Sequence, residues 1–369
     1  MNQLFRWDQT GLFLLALAAG ILPFAVPEVC AAALREGLTL CSGPLLLSLF
    51  PFLVVSRLLV QCPESDLLAM PFRLAAWGIG IRTPCAARVL CIGFLGGFAP
   101  AASAAAQAVR TGQLTAEEAD ALLPACICSG PSFVVLTVGQ SLLGSAELGV
   151  LLFASQITAN YLTAALLNRF AGVRSVKPGS AAPASPAPPR LDEILADAAI
   201  TYCKLCGFIL FFRLLAAGAG ALLPTGAGTL CAILLEVCSG CDLASRTGQW
   251  GSLLCCAALS VQGLSVLLQV RTICPPEMTL RPLYRARMLH LPLSLALFYL
   301  LLPGGEADVF STLPARVLLM RRVPPDCALL VFAVCCMAAC TLRSGIRQVE
   351  QKQMARNAGG CCINSKTLL

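Results

Sequence analysis

Residues Leu114 to Ser145 read LTAEEADALLPACICSGPSFVVLTVGQSLLGS, an apolar stretch interrupted at its centre by Ser129-Gly130-Pro131-Ser132. Proline removes a backbone donor and glycine loosens a helix, so the carbonyl groups just before the interruption lose their helical partners. Lipid cannot replace those partners, and such a break is tolerated only inside protein or beside a water-filled cavity. The stretch therefore predicts a broken helix at the centre of a membrane protein.

The two halves of this stretch are predicted to form a re-entrant hairpin with its tip at the interruption. The first helix covers Thr115 to Cys128 and the second covers Ser132 to Leu143, so that the chain enters and leaves on one side. Thr115 and Glu118 have the spacing of a capping box, which marks where the first helix begins.

The composition predicts an all-α polytopic membrane protein. Of the 369 residues, 57% are hydrophobic and 12% are charged, and the mean hydropathy is +0.80. Several apolar runs are long enough to cross about 30 Å of hydrocarbon. The net charge is +7, but the basic residues lie in short clusters between apolar runs, where they set membrane orientation. This distribution argues against nucleic-acid binding and makes the lipid bilayer the expected partner.

The 21 cysteines are interpreted mainly as small buried hydrophobes, because they lie within apolar runs. Cys203 with Cys206, and Cys238 with Cys241, have the CxxC spacing found in redox and zinc sites. The chain contains a single histidine, His290, and we therefore expect neither a metal site nor a cofactor.

Predicted spans divide the chain into two repeats. In the first repeat, residues 1–168, the predicted elements are spans at Gly11–Val26 and Gly43–Val60, a mixed surface segment at Leu67–Arg88, a span at Val89–Val109 interrupted around Gly97, the hairpin at 115–143, and a span at Leu148–Leu167. A cleaved signal peptide is the alternative for the first span, because the small residues Cys30-Ala31-Ala32-Ala33 follow it. Residues 169–190 are rich in Pro, Ala and Ser, as is typical of a flexible linker.

The second repeat, residues 191–287, is predicted to contain spans at Ala198–Ala219 and Leu222–Ser239, and a broken segment at 250–270 interrupted at Gln262-Gly263-Leu264-Ser265. Residues 288–342 are predicted to hold two closing spans, Met288–Leu302 and Cys327–Leu342. A basic cytoplasmic tail, 343–369, ends the sequence.

Internal similarity indicates that the two halves are diverged copies. Pro51–Leu59 aligns with Gly207–Leu215, and the alignment pairs Arg57 with Arg213. In the same order, Gly97 and the break at 129–132 recur as Gly240 and the break at 262–265. Repeats with broken helices are typical of secondary transporters, whose binding site lies between the repeats.

Lys and Arg placement supports two hairpins. With both broken segments folded back, most basic residues fall on the cytoplasmic side, as the positive-inside rule requires. The first hairpin then opens to the outer side and the second to the cytoplasmic side, as inverted repeats demand. Gly112 and Ser145 are predicted to lie outside, whereas Arg246, Arg271 and both termini are predicted to be cytoplasmic.

Five motifs carry a family resemblance: Gly93-Phe-Leu-Gly-Gly-Phe-Ala-Pro100, Arg110-Thr-Gly-Gln-Leu-Thr-Ala-Glu-Glu118, Ser129-Gly-Pro131, Leu235-Glu-Val-Cys-Ser-Gly240 and Gly263-Leu-Ser-Val266. They resemble the sporulation integral membrane proteins of the YlbJ (SpoVV) type. These proteins contain the nucleoside-recognition or Gate domain, a relative of concentrative nucleoside transporter architecture. The resemblance extends from about Gly11 to His290. It implies movement of dipicolinate, a planar dianion, from the mother cell across the outer forespore membrane.

The candidate substrate-binding residues are Ser129, Gly130, Pro131, Ser132, Gln262, Gly263, Ser265, Arg57 and Arg213. A dianion needs donors or cations, and helix N-termini at the two tips present free backbone N–H groups. An arginine within a span needs a partner, a cavity or a route to the interface, so snorkelling is the alternative for both arginines. Possible cavity or coupling residues are Gly97, Asn160, Lys204 and Glu236. Asn160 and Gln156 are alternatively interpreted as bridges between helices.

The leading functional hypothesis is a secondary transporter of a small organic anion, with dipicolinate as the expected solute, acting as a monomer or a homo-oligomer. A nucleoside-like solute and a non-transporting sporulation scaffold are the alternatives. The sequence contains no acid, base and nucleophile set that would indicate an enzyme. It also lacks the Gly-x-x-x-x-Gly-Lys-Ser/Thr loop of ATP-hydrolysing transporters.

Overall fold

The computed structural model describes residues 9–61, 63–171 and 190–302, and within these ranges the regular structure is entirely helical. This confirms the all-α prediction for the described part of the chain. Four helical stretches there are long and apolar enough to cross a membrane: Pro27–Leu47, Ala146–Ala171, Leu191–Leu222 and Gly248–Ile273. The tract Pro178–Pro189, the predicted span Cys327–Leu342 and the tail 343–369 lie outside the described residues.

The first half of the described chain contains α1 (Gln9–Ala25), α2 (Pro27–Ser42), α3 (Pro44–Gln61), α4 (Met70–Gly78), α5 (Pro84–Gly96), α6 (Phe98–Arg110), α7 (Ala116–Cys126), a π-helix (Ser132–Leu142) and α8 (Ala146–Ala171). Residues 27–42 are helical, although the predicted topology leaves them between two spans. Pro27 fits the first turn of α2, because an N–H group there would have no helical partner. The capping box of Thr115 and Glu118 at the start of α7 is confirmed.

The second half contains α9 (Leu191–Leu222), α10 (Thr225–Leu235), α11 (Val237–Ser245), α12 (Gly251–Val261), α13 (Gly263–Ile273) and α14 (Arg281–Leu301). The predicted continuous span Leu222–Ser239 is wrong, because α10 ends at Leu235 and Glu236 is extended, with φ −152° and ψ 126°. Helix α14 begins seven residues before the predicted span at Met288, so the arginines at 281, 285 and 287 belong to a helix and not to a loop.

Interruptions separate four pairs of short helices in the described ranges. They lie at Gly97 between α5 and α6, at residues 127–131 between α7 and the π-helix, at Glu236 between α10 and α11, and at Gln262 between α12 and α13. The breaks predicted around Gly97, at 129–132 and at 262–265 are therefore confirmed. Gly97 and Gln262 both adopt left-handed backbone conformations, with φ of 80° and 65°.

The segment 116–142, here called the first broken segment, runs the length of α8. Asn168 Nδ2 donates to the Ala121 carbonyl at 3.1 Å, and Asn160 Nδ2 donates to the Ile127 carbonyl at 3.1 Å. Further along α8, Gly149 lies against the backbone of Val135. These contacts advance steadily over nineteen residues of α8, about 28 Å. The predicted hairpin at 115–143 is therefore wrong, since α7 and the π-helix lie end to end.

The segment 251–273, the second broken segment, also runs from one end of the bundle to the other. Gly251 lies against the Ser245 carbonyl, near the end of α9 that leads into α10. At the far end, Ile273 packs against a cluster that contains Ala198 and Tyr202, close to the start of α9. The predicted fold-back at 250–270 is therefore also wrong.

Helices α5 and α6 fold back on each other around Gly97 and form the first folded-back pair. Thr83, which precedes α5, donates from Oγ1 to Glu118 Oε1 at 2.5 Å. Glu118 lies in the first turn of α7, which follows α6 after a short turn. The two ends of residues 84–110 therefore lie together.

Helices α10 and α11 form the second folded-back pair around Glu236. A Cβ atom added at Gly240 would lie 2.8 Å from the Cα atom of Ile233, seven residues earlier. Thr225 and Arg246, near the two ends of the pair, line one surface groove. Glycine at position 240 is what allows the two helices to pack this closely.

Candidate functional site

Each folded-back pair touches the interruption of the broken segment that follows it. At Gly97, an added Cβ atom would lie 2.7 Å from the backbone nitrogen of Gly130. At Gly263, an added Cβ atom would lie 2.9 Å from the backbone nitrogen of Glu236. Only glycine permits these backbone contacts with φ near 70–80°.

A side-chain contact then joins the two halves. Gln262 Nε2 donates to the Leu259 carbonyl at 3.0 Å and to Ser129 Oγ at 3.4 Å. Gln262 and Ser129 are both buried. All four interruptions thus meet in one region of the bundle, which is where the sequence predicts the site.

A cavity opens at this meeting point. Its lining residues come from both folded-back pairs, both broken segments, α3 and α9: Leu45, Leu49, Leu95, Gly96, Phe98, Ser129, Gly130, Ser132, Phe133, Ile209, Glu236, Val237, Cys238, Val266 and Gln269. The cavity encloses about 600 Å³ including its open mouth. Its closed part has room for a few waters only, so a larger solute requires the surrounding helices to separate.

Glu236 is the charged residue of this lining. It is 2% exposed, and its carboxylate accepts hydrogen bonds from the backbone N–H groups of Cys238 at 2.8 Å and Ser239 at 2.7 Å. Glu236 therefore caps the N-terminus of α11, whose positive end stabilises the negative charge. None of the described lining residues is Lys, Arg or His.

Gln269 adds a second acceptor to the cavity. Its Nε2 donates to Ser265 Oγ at 2.9 Å, and its Oε1 has no hydrogen-bond partner within the described part of the chain. Gln262 Oε1 and Ser239 Oγ, both next to the interruptions, are likewise buried without a partner there. Such groups are rare in folded proteins, and they indicate a place for a ligand or ordered water.

Arg287 on α14 supplies the partners that the interrupted helices lack. Its guanidinium donates to the Ile127 carbonyl at 2.6 Å and to the Ser260 carbonyl at 3.3 Å. These carbonyls lie at the C-terminal ends of α7 and α12, where a cation is favourable. Asn160 also donates to the Ile127 carbonyl, and its Oδ1 lies 3.4 Å from Arg287 Nη2. At each break, one freed carbonyl is thus satisfied by side chains from neighbouring helices.

A buried polar network continues from Arg287 along α14, α8 and α12. His290 Nε2 contacts the Gln156 carbonyl at 3.2 Å, and Gln156 Nε2 donates to Ser260 Oγ at 3.0 Å. Ser260 Oγ also contacts Ser294 Oγ at 2.5 Å. Gln156 and Asn160 therefore bridge helices, and neither is among the described lining residues.

Arg57 and Arg213 are not among the described lining residues, and they form matching ion pairs. Arg57 on α3 pairs with Asp197 on α9 at 2.7 Å, and Arg213 on α9 pairs with Glu36 on α2 at 2.6 Å. The partner carboxylates are 55% and 65% exposed, whereas the side chains of Arg57 and Arg213 are only 12% and 11% exposed. This geometry supplies a partner for each arginine.

Most of the remaining predicted residues lie at the cavity or directly behind it. Ser129, Gly130, Ser132 and Glu236 line the cavity, while Gly97, Gln262, Gly263 and Ser265 pack directly behind it. Pro131 is not among the described lining residues, and Lys204 lies on an exposed face of α9. Among the described residues, Lys204 does not form an ion pair with Glu236, although both were predicted as cavity or coupling residues.

Sequence reasoning missed Arg287 and Gln269. Arg287 lies one residue before the predicted span Met288–Leu302, and Gln269 lies four residues, about one helical turn, beyond the predicted break at 262–265. One signal was available for Arg287: the carbonyls before residue 129 need donors, and a nearby apolar helix with an arginine could supply them. Within the described residues, no group of three or more His, Cys, Asp or Glu side chains could hold a metal ion.

Searches against protein families, curated proteins and solved structures find no match to this chain. The resemblance to the YlbJ type therefore rests on the motifs quoted above and stays a prediction. What the chain does has to be inferred from the geometry of the cavity and of the helices around it.

Proposed function

We propose that this chain is a secondary-type membrane transporter that moves a small organic solute through the central cavity. The observation that carries the proposal is the meeting of four helix interruptions, two from each half, around that cavity. Non-helical backbone at membrane depth is costly unless it is buried in protein or lines a cavity. Broken helices that converge between two halves are the architecture in which transporters place their solute.

Opposite orientation of the two halves supports an inverted repeat. Each half contains a folded-back pair, a broken segment and a straight helix, in that order. Arg110 at the end of the first pair donates to the Ile273 carbonyl at the end of the second broken segment. Asp120 near the start of the first broken segment accepts from the Thr279 backbone N–H at 2.8 Å, just beyond the end of the second. The two broken segments therefore run antiparallel, and the two pairs are proposed to be re-entrant hairpins that enter from opposite faces.

This arrangement makes a topology prediction that differs from the hairpin assignment made from the sequence. Cysteines introduced at Gln113 and Glu277 are expected to react from one face of the membrane, and cysteines at Ser145 and Gln249 from the other. Labelling of single-cysteine variants in a cysteine-depleted background with an impermeant maleimide measures this. If Gln113 and Ser145 label from the same face, the first broken segment does not cross the membrane.

Dipicolinate, which the family resemblance implies, has little support from the cavity. A planar dianion requires compensating cations, and the described lining provides a carboxylate instead. Export across the outer forespore membrane likewise rests on the resemblance alone. The proposal is therefore transport of a small solute, with the class of solute treated separately below.

Uptake by proteoliposomes that contain only this protein tests the proposal. We expect at least one solute of a defined mixture of metabolites to enter faster than into protein-free liposomes, as measured by mass spectrometry of the washed vesicles. A scaffold that does not transport predicts identical entry into both. Equal entry of every solute in the mixture would remove transport as the function.

A further inference from the structure

We infer that the cavity takes an uncharged or cationic solute rich in hydrogen-bond donors, and that Glu236 excludes organic anions from it. The inference rests on the proposed transport function and names the class of solute that this site recognises. It also runs against the anionic substrate that the sequence motifs imply.

The charge of the lining is the first argument. Glu236 is the charged member of the described lining, and it is almost completely buried. Contact between an anionic solute and a buried carboxylate is strongly unfavourable, because two like charges repel each other there. Binding sites use such like-charge contacts to exclude unwanted ligands. A solute that carries no charge or a positive charge avoids this cost.

Arg287 does not reverse the sign of the site. This buried cation donates to the carbonyls of Ile127 and Ser260 and to Asn160 Oδ1, and it is not among the described lining residues. Its charge is directed at the C-terminal ends of two helices, which are themselves partly negative. Both terminal nitrogens of Arg287 are therefore held by protein oxygens and not by a solute in the cavity.

Unfilled acceptors are the second argument. Each Glu236 oxygen accepts one backbone N–H, and the Cys238 thiol also hydrogen-bonds to the carboxylate. An ionised carboxylate offers about four acceptor positions in total, so a position is left for a solute. Gln269 Oε1 is buried without a partner in the described part of the chain, while its Nε2 is held by Ser265. A bound solute that donates N–H or O–H groups satisfies these oxygens, whereas a carboxylate solute cannot.

The apolar part of the lining defines the rest of the solute. Leu95, Phe98, Phe133 and Val266 surround the polar groups. Small-molecule sites of this kind combine an apolar wall with a few polar groups that fix orientation. A compact ring that carries amide, amine or hydroxyl donors fits this arrangement.

Equilibrium binding of two matched probes tests the inference. Pyridine-2,6-dicarboxamide and pyridine-2,6-dicarboxylate have the same ring and nearly the same shape, but the first is neutral with N–H donors and the second is a dianion. We expect the full-length purified protein to bind the radiolabelled dicarboxamide at least about tenfold more tightly than the dicarboxylate, because one opposed charge costs that much or more.

Variants of Glu236 and Gln269 show, in the same binding assay, whether the charge of the site or its shape causes the preference. Glu236→Gln should bring the ratio of the two dissociation constants close to one, while Glu236→Asp should keep the preference for the dicarboxamide. Gln269→Leu should weaken dicarboxamide binding and leave dicarboxylate binding unchanged. Glu147→Gln is the matched control, because Glu147 is an exposed carboxylate in the first turn of α8 and away from the lining.

Two outcomes would overturn the inference: tighter binding of the dicarboxylate by the unmodified protein, or no binding of the dicarboxamide. Neither outcome contradicts the transport proposal, which is tested separately by measuring whether solutes of the metabolite mixture enter proteoliposomes. If solutes enter and are mainly anions, the protein is a transporter and the solute class inferred here is wrong.

Discussion

Arg287→Met is expected to lower the free energy of unfolding by about 3–5 kcal/mol and to reduce solute uptake at least about tenfold, because it leaves the ends of two broken helices without their charged donor. The guanidinium reaches the carbonyls of Ile127 and Ser260, one in each half of the chain. Methionine fills a similar volume but donates nothing, and the Ser260 carbonyl then loses a buried donor. The interruptions that shape the cavity are expected to shift as a result.

Two further variants make the Arg287 prediction specific. Arg287→Lys should recover part of the lost stability, since an ammonium group is a point donor and cannot reproduce the planar fork that reaches two carbonyls. Arg285→Met is the matched control, because Arg285 lies two residues away on α14 and is exposed. Thermal unfolding in detergent and uptake normalised to protein amount are the measurements. Wild-type stability and uptake in Arg287→Met would show that the breaks need no charged cap.

Three of the four helix breaks were predicted at their positions from the sequence, but the direction of the chain after each break was not. Glycine, proline and serine at 129–132 indicate that a helix ends there, because proline removes a backbone hydrogen bond and glycine makes the backbone more flexible. They do not determine whether the next helix turns back or continues across. That choice depends on which neighbour packs along both parts, and α8 is the element that holds the first broken segment straight.

Charge counting could not have corrected the error. Assigning the fold-back to residues 84–110 and 225–245 instead moves Arg110 to the cytoplasmic side and Arg246 to the outer side. The number of Lys and Arg residues on each side is therefore the same in both assignments. The positive-inside rule cannot distinguish the two topologies. Long-range contacts, such as that of Arg110 with the Ile273 carbonyl, are what separate them.

Glu236 illustrates a break that carries none of the usual signals. Neither glycine nor proline lies at the position where α10 ends, so the run around it resembled a continuous span. The repeat alignment then matched Gly97 to Gly240, whereas the structure gives Glu236 as the bend that corresponds to Gly97. A glutamate in an apolar run can itself start a helix by capping its N-terminus, which is what Glu236 does for α11.

The contacts of Arg57 and Arg213 agree with one prediction from the repeat pattern, namely that the two arginines occupy equivalent positions and need partners. Arg57 lies on α3, which α4 separates from the first folded-back pair, and Arg213 lies on α9, directly before the second pair. Both form an ion pair with a carboxylate on a neighbouring helix. The sequence identified them as equivalent and as in need of a partner, which is an argument from desolvation cost. It could not identify the partner, because Asp197 and Glu36 are far away along the chain.

Gly97→Ala is expected to abolish uptake and to cost about 2–4 kcal/mol of stability, because two penalties act on the same atom. With φ at 80°, Gly97 adopts a backbone conformation that an L-residue rarely accepts. The added Cβ would also lie 2.7 Å from the Gly130 nitrogen and 3.2 Å from the Cys128 carbonyl oxygen. Both neighbours are backbone atoms of the first broken segment, so relief requires the interruption itself to move.

A glycine in the second half allows the same test to be repeated, and a glycine on α9 provides the control substitution. Gly263→Ala should behave similarly, since its Cβ would meet the backbone of Glu236 at 2.9–3.0 Å with φ at 68°. Gly207→Ala should leave uptake unchanged and add up to about 1 kcal/mol of stability, because position 207 is helical, has nothing within 4 Å of the new atom, and alanine is the better helix former. Uptake normalised to inserted protein and thermal unfolding are measured for all three variants. Normal uptake in both Gly97→Ala and Gly263→Ala would mean that the close contacts between bends and breaks do not shape the transport site.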